Sequence, residues 1–554
     1  KIRPFVKRVF GAYNFAMKRV SLGASIALVL GGCMVGPNYH PPKTDKVEPA
    51  FGELGTASTT QPSQPTTRPI EITEWWATFH DRELDSLIQR AIKTNPNLAQ
   101  AESRILEARA ERIIAGAGEL PTVNVGAGYQ RARGSKNVTF PLSAFGGGTS
   151  KGKAEPSRVG SPSQVNAPQL GNVGGTQGGG VPLSPLGGGG LPGVTTDLYQ
   201  AGFDASWEID VFGGVRRGIE AANADFEAAV EDRRDVYISL LSEVARNYIE
   251  LRGFQRQIAI SQENLHSQEQ SLALTADRFR AGVTTQLDVA RARAQVASTA
   301  ATIPSLDAQV HGSAHRIAVL LGEQPMALVE ELLPLQPIPP APAEVPVGVP
   351  ADLLRRRPDI RRAERQLAAA TARVGEATAN LYPRFTILGN FGFDATKFAK
   401  IANWSSYYYS IGPGVTWPIF DAGRIRANIR VQNEAVNQYM SNYEQTVLNA
   451  MEDVEDALVD YSRQQQRRQA LNEAVAANRQ AVDLATQQYQ QGVVDFLTVL
   501  EAQRSLFAAE DEVARSDVQI SSDLVALYKA LGGGWEVDAS KPLPDYKKPL
   551  PIFP

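Results

Sequence analysis

The chain has 554 residues, a formal net charge of −3 and a single cysteine. Near-neutral charge excludes a general nucleic-acid binder, which needs a basic surface to neutralise phosphates. One Cys excludes an internal disulfide and any CxxC zinc or redox site. No apolar run reaches the roughly 18 residues of a spanning helix, so a membrane role has to use strands or an anchor.

Residues 1–32 read as a signal. Met17-Lys18-Arg19 forms a charged start, VSLGASIALVL a short apolar stretch, and Leu30-Gly31-Gly32-Cys33 a small-residue cleavage site. The sixteen residues before Met17 read as upstream translation or a misplaced start. The sequence LGGC resembles the bacterial lipobox, in which cleavage leaves the cysteine as the new N-terminus. Cys33 is therefore expected to carry a covalent N-acyl diacylglycerol, with 33–74 as a lipidated extended segment. One lipid anchor gives stable attachment when a second membrane contact supports it.

The rest of the chain repeats itself. Asn95-Pro96, Glu102 and Leu120-Pro121 match Arg357-Pro358, Glu364 and Tyr382-Pro383 at an offset of 262. Further along, Trp207, Gly213, Gly282, Val283, Leu287, Leu321 and Gly322 match Trp417, Gly423, Gly492, Val493, Leu497, Leu531 and Gly532 at an offset of 210. The difference marks an insertion in the first half, and the Gly/Pro/Ser-rich stretch 134–196 has the composition of a flexible loop. The expected organisation is a first repeat at 75–322, a Pro-rich linker at 323–350, a second repeat at 351–532 and a tail at 533–554.

Each repeat opens with a helix and continues into a β-hairpin, expected at 121–210 and 384–420. Tyr199, Ala201, Phe203, Ala205, Trp207 and Ile209 alternate with Gln200, Gly202, Asp204, Ser206 and Glu208. Val123, Val125, Ala127 and Tyr129 follow the same rule, as do Phe385, Ile387, Phe391 and Phe393, and Tyr407, Tyr409, Ile411, Val415, Trp417 and Ile419. Period-two runs of about ten residues with aromatics near their ends suit transmembrane β-strands. Trp207, Trp404, Tyr407, Tyr409 and Trp417 are the expected aromatic belt at the lipid boundary. Four strands cannot close a barrel, and open edges are not tolerated in hydrocarbon. Closure has to come from oligomerisation, and twelve strands from three copies leave more room for an aqueous lumen than eight from two.

Long helical hairpins are expected at 213–321 and 423–531. The segments from Gly213 to Gly282 and from Gly423 to Gly492 contain no proline and would each be about 100 Å long as continuous helices. Val436, Met440, Tyr443, Val447, Met451, Val454, Leu458 and Tyr461 step by threes and fours, a coiled-coil-like seam. Phe226, Val230, Tyr237, Leu241, Val244, Tyr248 and Leu251 echo it, with Arg233 replacing one apolar position. Gly282 and Gly492 are expected to cap these helices in a left-handed conformation. Pro304, whose counterpart is Ala514, predicts a break or kink in the first return helix only.

Other signals fail. Gly147 to Lys153 lacks the Ser or Thr that a phosphate-binding loop places next, since Ala154 follows. His311 and His315 lack the glutamate of a zinc-protease helix. No nucleophile and base arrangement rises above chance, so no enzyme, metal or cofactor beyond the Cys33 lipid is expected.

The segments CMVGPNYHPP, EWWATFHDRELDSLIQRA, RRRPDIRRAERQLAAA, LYPRF, WPIFDAGRIRA and QGVVDFLTVLEAQRSLF, in this order, resemble the TolC-like outer-membrane factors, most closely the lipidated OprM/NodT type. The resemblance covers nearly all of the mature chain. It implies an α+β membrane protein, a homotrimer whose twelve-stranded transmembrane barrel is continuous with an α-helical coiled-coil periplasmic barrel. It implies a passive exit duct served by a periplasmic adaptor and an inner-membrane pump, RND in type. By motif position, the adaptor-contact tips map to Gly282, Val283, Gly492 and Val493. The periplasmic gate maps to Leu497 and Glu501, where many members carry Asp in place of Glu501, with Asp288 and Arg291 as partners from the first repeat. A type I secretion duct and a poreless lipid-anchored coiled-coil scaffold are the alternative readings, and the alternating strands argue against the scaffold.

Overall fold

A computed structural model of the chain describes residues 34–42, 51–52, 64–66, 73–133 and 194–539. Cys33, most of the Gly-rich insertion and the end of the tail lie outside the described residues. Those described fall into two compact units, one of 34–35, Gly116–Arg216 and Thr378–Ile425, the other of Gly36–Ala115, Arg217–Ala377 and 426–539.

The first unit is built on an antiparallel sheet of four strands, β1 (Thr122–Arg133), β2 (Thr195–Ile209), β3 (Arg384–Ala395) and β4 (Tyr407–Thr416), in the spatial order β1-β2-β3-β4. Alternation sets which side chains share a face, and the register carries the pattern unbroken across strands. Val125 pairs with Phe203, Phe203 with Phe391 and Phe391 with Tyr409. One position along, Asn124 pairs with Asp204, Asp204 with Asn390 and Asn390 with Ser410. One face of the sheet is therefore apolar and aromatic, and the other carries amides, carboxylates, hydroxyls and glycines.

β4 stops at Thr416 rather than running on through Trp417 and Ile419 as the alternation predicts. Pro418 has no N–H to give to a ladder, and it ends the pairing. Trp404 also lies outside a strand, in a 3-10 turn at Trp404–Ser406 that leads into β4.

The second unit is helical. α1 (Arg82–Thr94) starts at Asp81, whose carboxylate accepts from the Glu83 and Leu84 amides at 2.9 and 3.1 Å, satisfying two orphan donors of the first turn. α2 (Pro96–Ala117) and its second-half equivalent α6 (Pro358–Ala379), which follows α5 (Pro350–Arg356), are both 22 residues long and begin on a proline. α3 (Gly214–Arg280) has 67 residues and α7 (Arg424–Gln491) has 68. The return helices α4 (Gln286–Leu320) and α8 (Phe496–Ala530) have 35 each.

The break expected at Pro304 does not occur, for α4 runs through it. The proline removes one intrahelical bond, but Pro304 and Ala300 are exposed, so water can reach the freed carbonyl. Along the seam of α7, Tyr443, Val447, Val454, Leu458 and Tyr461 are buried, as are Tyr237, Leu241, Val244, Tyr248 and Leu251 of α3. Arg233 is buried in that row too, and donates to Glu102 Oε1 at 2.8 Å. These rows meet Leu84, Leu87, Ile317, Leu321, Leu524 and Leu531 in one core, where Trp75 stacks on Tyr528 at 5.3 Å. Each fully buried large apolar side chain there contributes about 2 kcal/mol.

Candidate functional site

The four-stranded sheet leaves one edge of β1 and one edge of β4 without a partner among the described residues. Its apolar face is bare: Ile411 is 76% exposed and Val125 74%, far more contiguous apolar surface than a water-facing sheet tolerates.

Aromatic rings gather at both ends of that face. At the end where the chain passes into the long helices, Trp207 Nε1 donates to the Glu119 carbonyl at 2.9 Å and Trp417 Nε1 to the Leu381 carbonyl at 3.0 Å. The two indoles are equivalent in the repeat, and so are the two carbonyls. Each indole thus has its polar edge satisfied by a backbone carbonyl. At the other end, Trp404 stacks on Tyr407 at 5.4 Å and Tyr407 on Tyr409 at 6.4 Å. Tyr129, Tyr199 and Phe398 form a second chain of rings there, at 4.8 and 5.6 Å.

On the polar face, Gly126, Gly202, Gly392 and Tyr408 occupy one row across the four strands. A Cβ on Gly392 would lie 2.8 Å from the Ala201 carbonyl oxygen and 2.9 Å from the Tyr408 hydroxyl. The row is a trough that the Tyr408 side chain fills, and Asn124 Nδ2 donates to Asp204 Oδ2 at 3.0 Å beside it.

At the far ends of α3 and α7, Gly282 and Gly492 take φ of +76° and +74°. The Val283 amide donates to the Arg278 carbonyl at 2.8 Å and the Val493 amide to the Gln488 carbonyl at 2.9 Å, the six-to-one bond of a Schellman cap. Val283 and Val493 are exposed and nothing crowds Gly282. Both tips thus present a capped helix end with an apolar knob.

The four residues assigned to the gate fall into two local pairs, Asp288 with Arg291 at the start of α4 and Leu497 with Glu501 one turn apart at the start of α8. Leu497 is half-buried against the small core of Tyr489, Phe496, Val499 and Leu500, whereas Glu501 is exposed. Asp288 belongs to a capping box with Thr285 at the start of α4, and accepts from the Thr284 and Thr285 hydroxyls at 2.7 and 2.8 Å. Partial burial raises its pKa, but those hydroxyl bonds outweigh burial and hold it below the usual carboxylate value. Arg291 stands 3.9 Å from it on the same helix. In the second half the chemistry is exchanged, with Asp495 capping α8 and Thr498 donating to it.

The chain matches the family described as Outer membrane efflux protein over residues 87–323 and 349–533. It belongs to that family. Nodulation protein T of Rhizobium leguminosarum bv. trifolii is 33% identical, over 92% of this chain and 96% of its own length. The pyoverdine export outer membrane protein OpmQ of Pseudomonas putida is 32% identical, over 90% of this chain and 94% of its own. Among solved structures, the outer-membrane channel OprN is 34% identical and superposes with a TM-score of 0.77, covering 91% of this chain and all of that one. This family member is an outer-membrane exit channel of an efflux system.

One link at the tips has no signal in the spacing. Arg278, near the end of α3, donates to the Tyr489 and Gln490 carbonyls at 2.9 and 3.1 Å and lies 4.6 Å over the Tyr489 ring. It caps the C-terminus of α7 with a cation, where the helix dipole favours one. Phe279 and Tyr489 are equivalent positions, and the structure buries Tyr489 while Phe279 is exposed.

Proposed function

We propose that three copies of this chain pool their sheets into one twelve-stranded barrel, and that the helical hairpins of the three form a tunnel leading to it. The observation that carries this reading is the sheet with two edges unpaired among the described residues, one face apolar along most of its length and one polar face. In hydrocarbon each unpaired edge would cost several kcal/mol per exposed backbone group. Closure through further copies removes both edges and turns the polar face toward a lumen. The matched lengths of α2 and α6, α3 and α7, and α4 and α8 support an origin by internal duplication.

The duct is passive. An RND-type inner-membrane pump supplies the energy and a periplasmic adaptor joins it to the tips at Gly282, Val283, Gly492 and Val493, where a glycine cap permits close backbone approach. Leu497 and Glu501 form the constriction, three carboxylates meeting across a narrow bore and favouring cations while the leucines exclude water. Asp288 and Arg291 stand at the equivalent level of the first half. A lipid on Cys33 adds an anchor to the barrel. The relatives named for pyoverdine export and for toluene efflux support small molecules as cargo.

The test is conductance. Purified full-length protein in a planar bilayer should conduct as a trimer, and replacing Leu497 and Glu501 with Ala and Gln should raise the current. A silent bilayer would reject the pore, and unchanged current would remove the two residues from the gate.

A further inference from the structure

We infer that the apolar face of the sheet, at the end away from the long helices, is a docking surface for a phosphorylated, multiply acylated lipid. The inference rests on the reading that this face meets the membrane and adds a lipid specificity to it.

Charge on the apolar face is confined to one end. Along β1 the residues sharing the face are Val123, Val125, Ala127, Tyr129, Arg131 and Arg133, and along β2 Asp197 leads into Tyr199, Ala201, Phe203, Ala205, Trp207 and Ile209. The alternate positions of β3 and β4 that share it, Phe385 to Ala395 and Tyr407 to Val415, carry no charge. The connection between β3 and β4 adds Lys397 and Lys400, both exposed, on either side of Phe398. That connection folds onto the same face, because the Phe398 ring contacts Tyr199 and the Trp404 ring contacts Phe393 and Tyr407. Among the described residues four cations therefore stand with one carboxylate, Asp197, which Arg131 approaches to 3.5 Å and to which the Tyr129 hydroxyl donates at 2.9 Å.

Asp197 answers Arg131 alone; a neutral lipid offers the other cations no counter-charge, and a zwitterionic one has its single phosphate charge balanced by its own cation. A phosphomonoester at the height of Arg131, Arg133, Lys397 and Lys400 would accept charge-assisted hydrogen bonds, with its acyl chains lying along Tyr129, Phe203, Phe391, Tyr409 and Ile411. The opposite end of the same face ends in Val123, Ile209, Phe385 and Val415 without a cation. The surface thus fits a bilayer whose two leaflets differ in headgroup charge, with the phosphorylated lipid in the leaflet remote from the helices.

The experiment uses full-length protein, delipidated in detergent and mixed with equal amounts of bis-phosphorylated lipid A and its dephosphorylated form, with retained lipid counted by native mass spectrometry. Wild type should retain the phosphorylated form about tenfold over the other, and the variant carrying Arg131→Gln, Arg133→Gln, Lys397→Gln and Lys400→Gln should lose that preference. Equal retention by wild type, an undiminished preference in the variant, or displacement of the lipid by inorganic phosphate alone would each overturn the lipid site. Both proteins are also tested for conductance in a planar bilayer. Conducting protein without phosphate preference rejects only the lipid site, whereas silent protein rejects the channel reading and the site with it.

Discussion

Arg357 donates to the Ala530 carbonyl at 3.1 Å, in the place where Asn95 of the first half donates to the Leu320 carbonyl at 2.7 Å. Each side chain stands just before a helix-opening proline and closes the end of the return helix of its own repeat. The two joints differ in cost. Asn95 is a neutral amide that also caps α2 by accepting the Leu98 amide at 3.0 Å. Arg357 is a nearly buried cation that binds Asp359 at 2.7 Å and Asp453 at 2.9 Å, and these carboxylates hold its pKa above the usual arginine value against the opposing effect of burial. Arg357→Ala should destabilise by about 3 kcal/mol, because it leaves two carboxylates facing Asp235 and Asp456 without their cation. Asn95→Ala should cost about 1–2 kcal/mol. Thermal unfolding followed by helical circular dichroism measures both, and an equal loss would contradict the charge argument.

The strand alternation and the glycine caps are legible in the sequence because each follows a local rule. A period of two fixes which side chains share a face, and the pairing of Phe203 with Phe391 keeps apolar side chains together on one face. What escaped depends on partners far apart in the chain. Arg278 meets Tyr489 across 211 residues, and nothing in the segment RFRAG announces it. The capping of α4 by Asp288 with Thr284 and Thr285 is a local role that the motif position of Asp288 does not show. Pro304 predicts a break or kink, and the helix runs on through it because its turn is exposed, which the sequence alone does not reveal.

The glycine trough is testable at Gly392. A methyl there would press on the backbone of Ala201 and Gly202 and on the Tyr408 hydroxyl, at 2.8, 3.0 and 2.9 Å, and only the tyrosine can move aside. Gly392→Ala should therefore splay β2 from β3 and lower the temperature at which the sheet unfolds in detergent. Adding Tyr408→Phe removes the hydroxyl contact and should recover only a small part of that loss. Full recovery would locate the strain in the tyrosine instead of the strand pair.

Arg278 joins the ends of α3 and α7, and the segment proposed for the gate starts close by at Phe496, whose ring meets Tyr489 at 5.7 Å. Arg278→Ala removes the cap on α7 and the stacked cation, so the two hairpins of one chain are held less firmly at their tips. Bilayer conductance of the variant should rise toward that of the Leu497 and Glu501 replacements. Arg278→Lys keeps the charge but loses the planar fork that bonds both carbonyls, and should fall between. A variant with wild-type conductance would make the link structural only.

Asp523 gives a pH dependence with a definite sign. It is buried on α8, with Gln519 Nε2 donating to Oδ1 at 2.7 Å. Burial, reinforced by the like charge of Asp460, pushes its pKa from the ordinary 3.8 up to about 6, against the opposing bond from Gln519. Between those two values the folded chain holds more protons at this site than the unfolded chain, so stability falls as pH rises through the window and stays lowered above it. Asp523→Asn preserves an acceptor for Gln519 and removes the charge. It should unfold at a higher temperature than wild type at neutral pH, with the gain shrinking as pH falls and vanishing near the ordinary carboxylate value. A gain of the same size at every pH would show that packing around the amide, and not the buried charge, sets the difference.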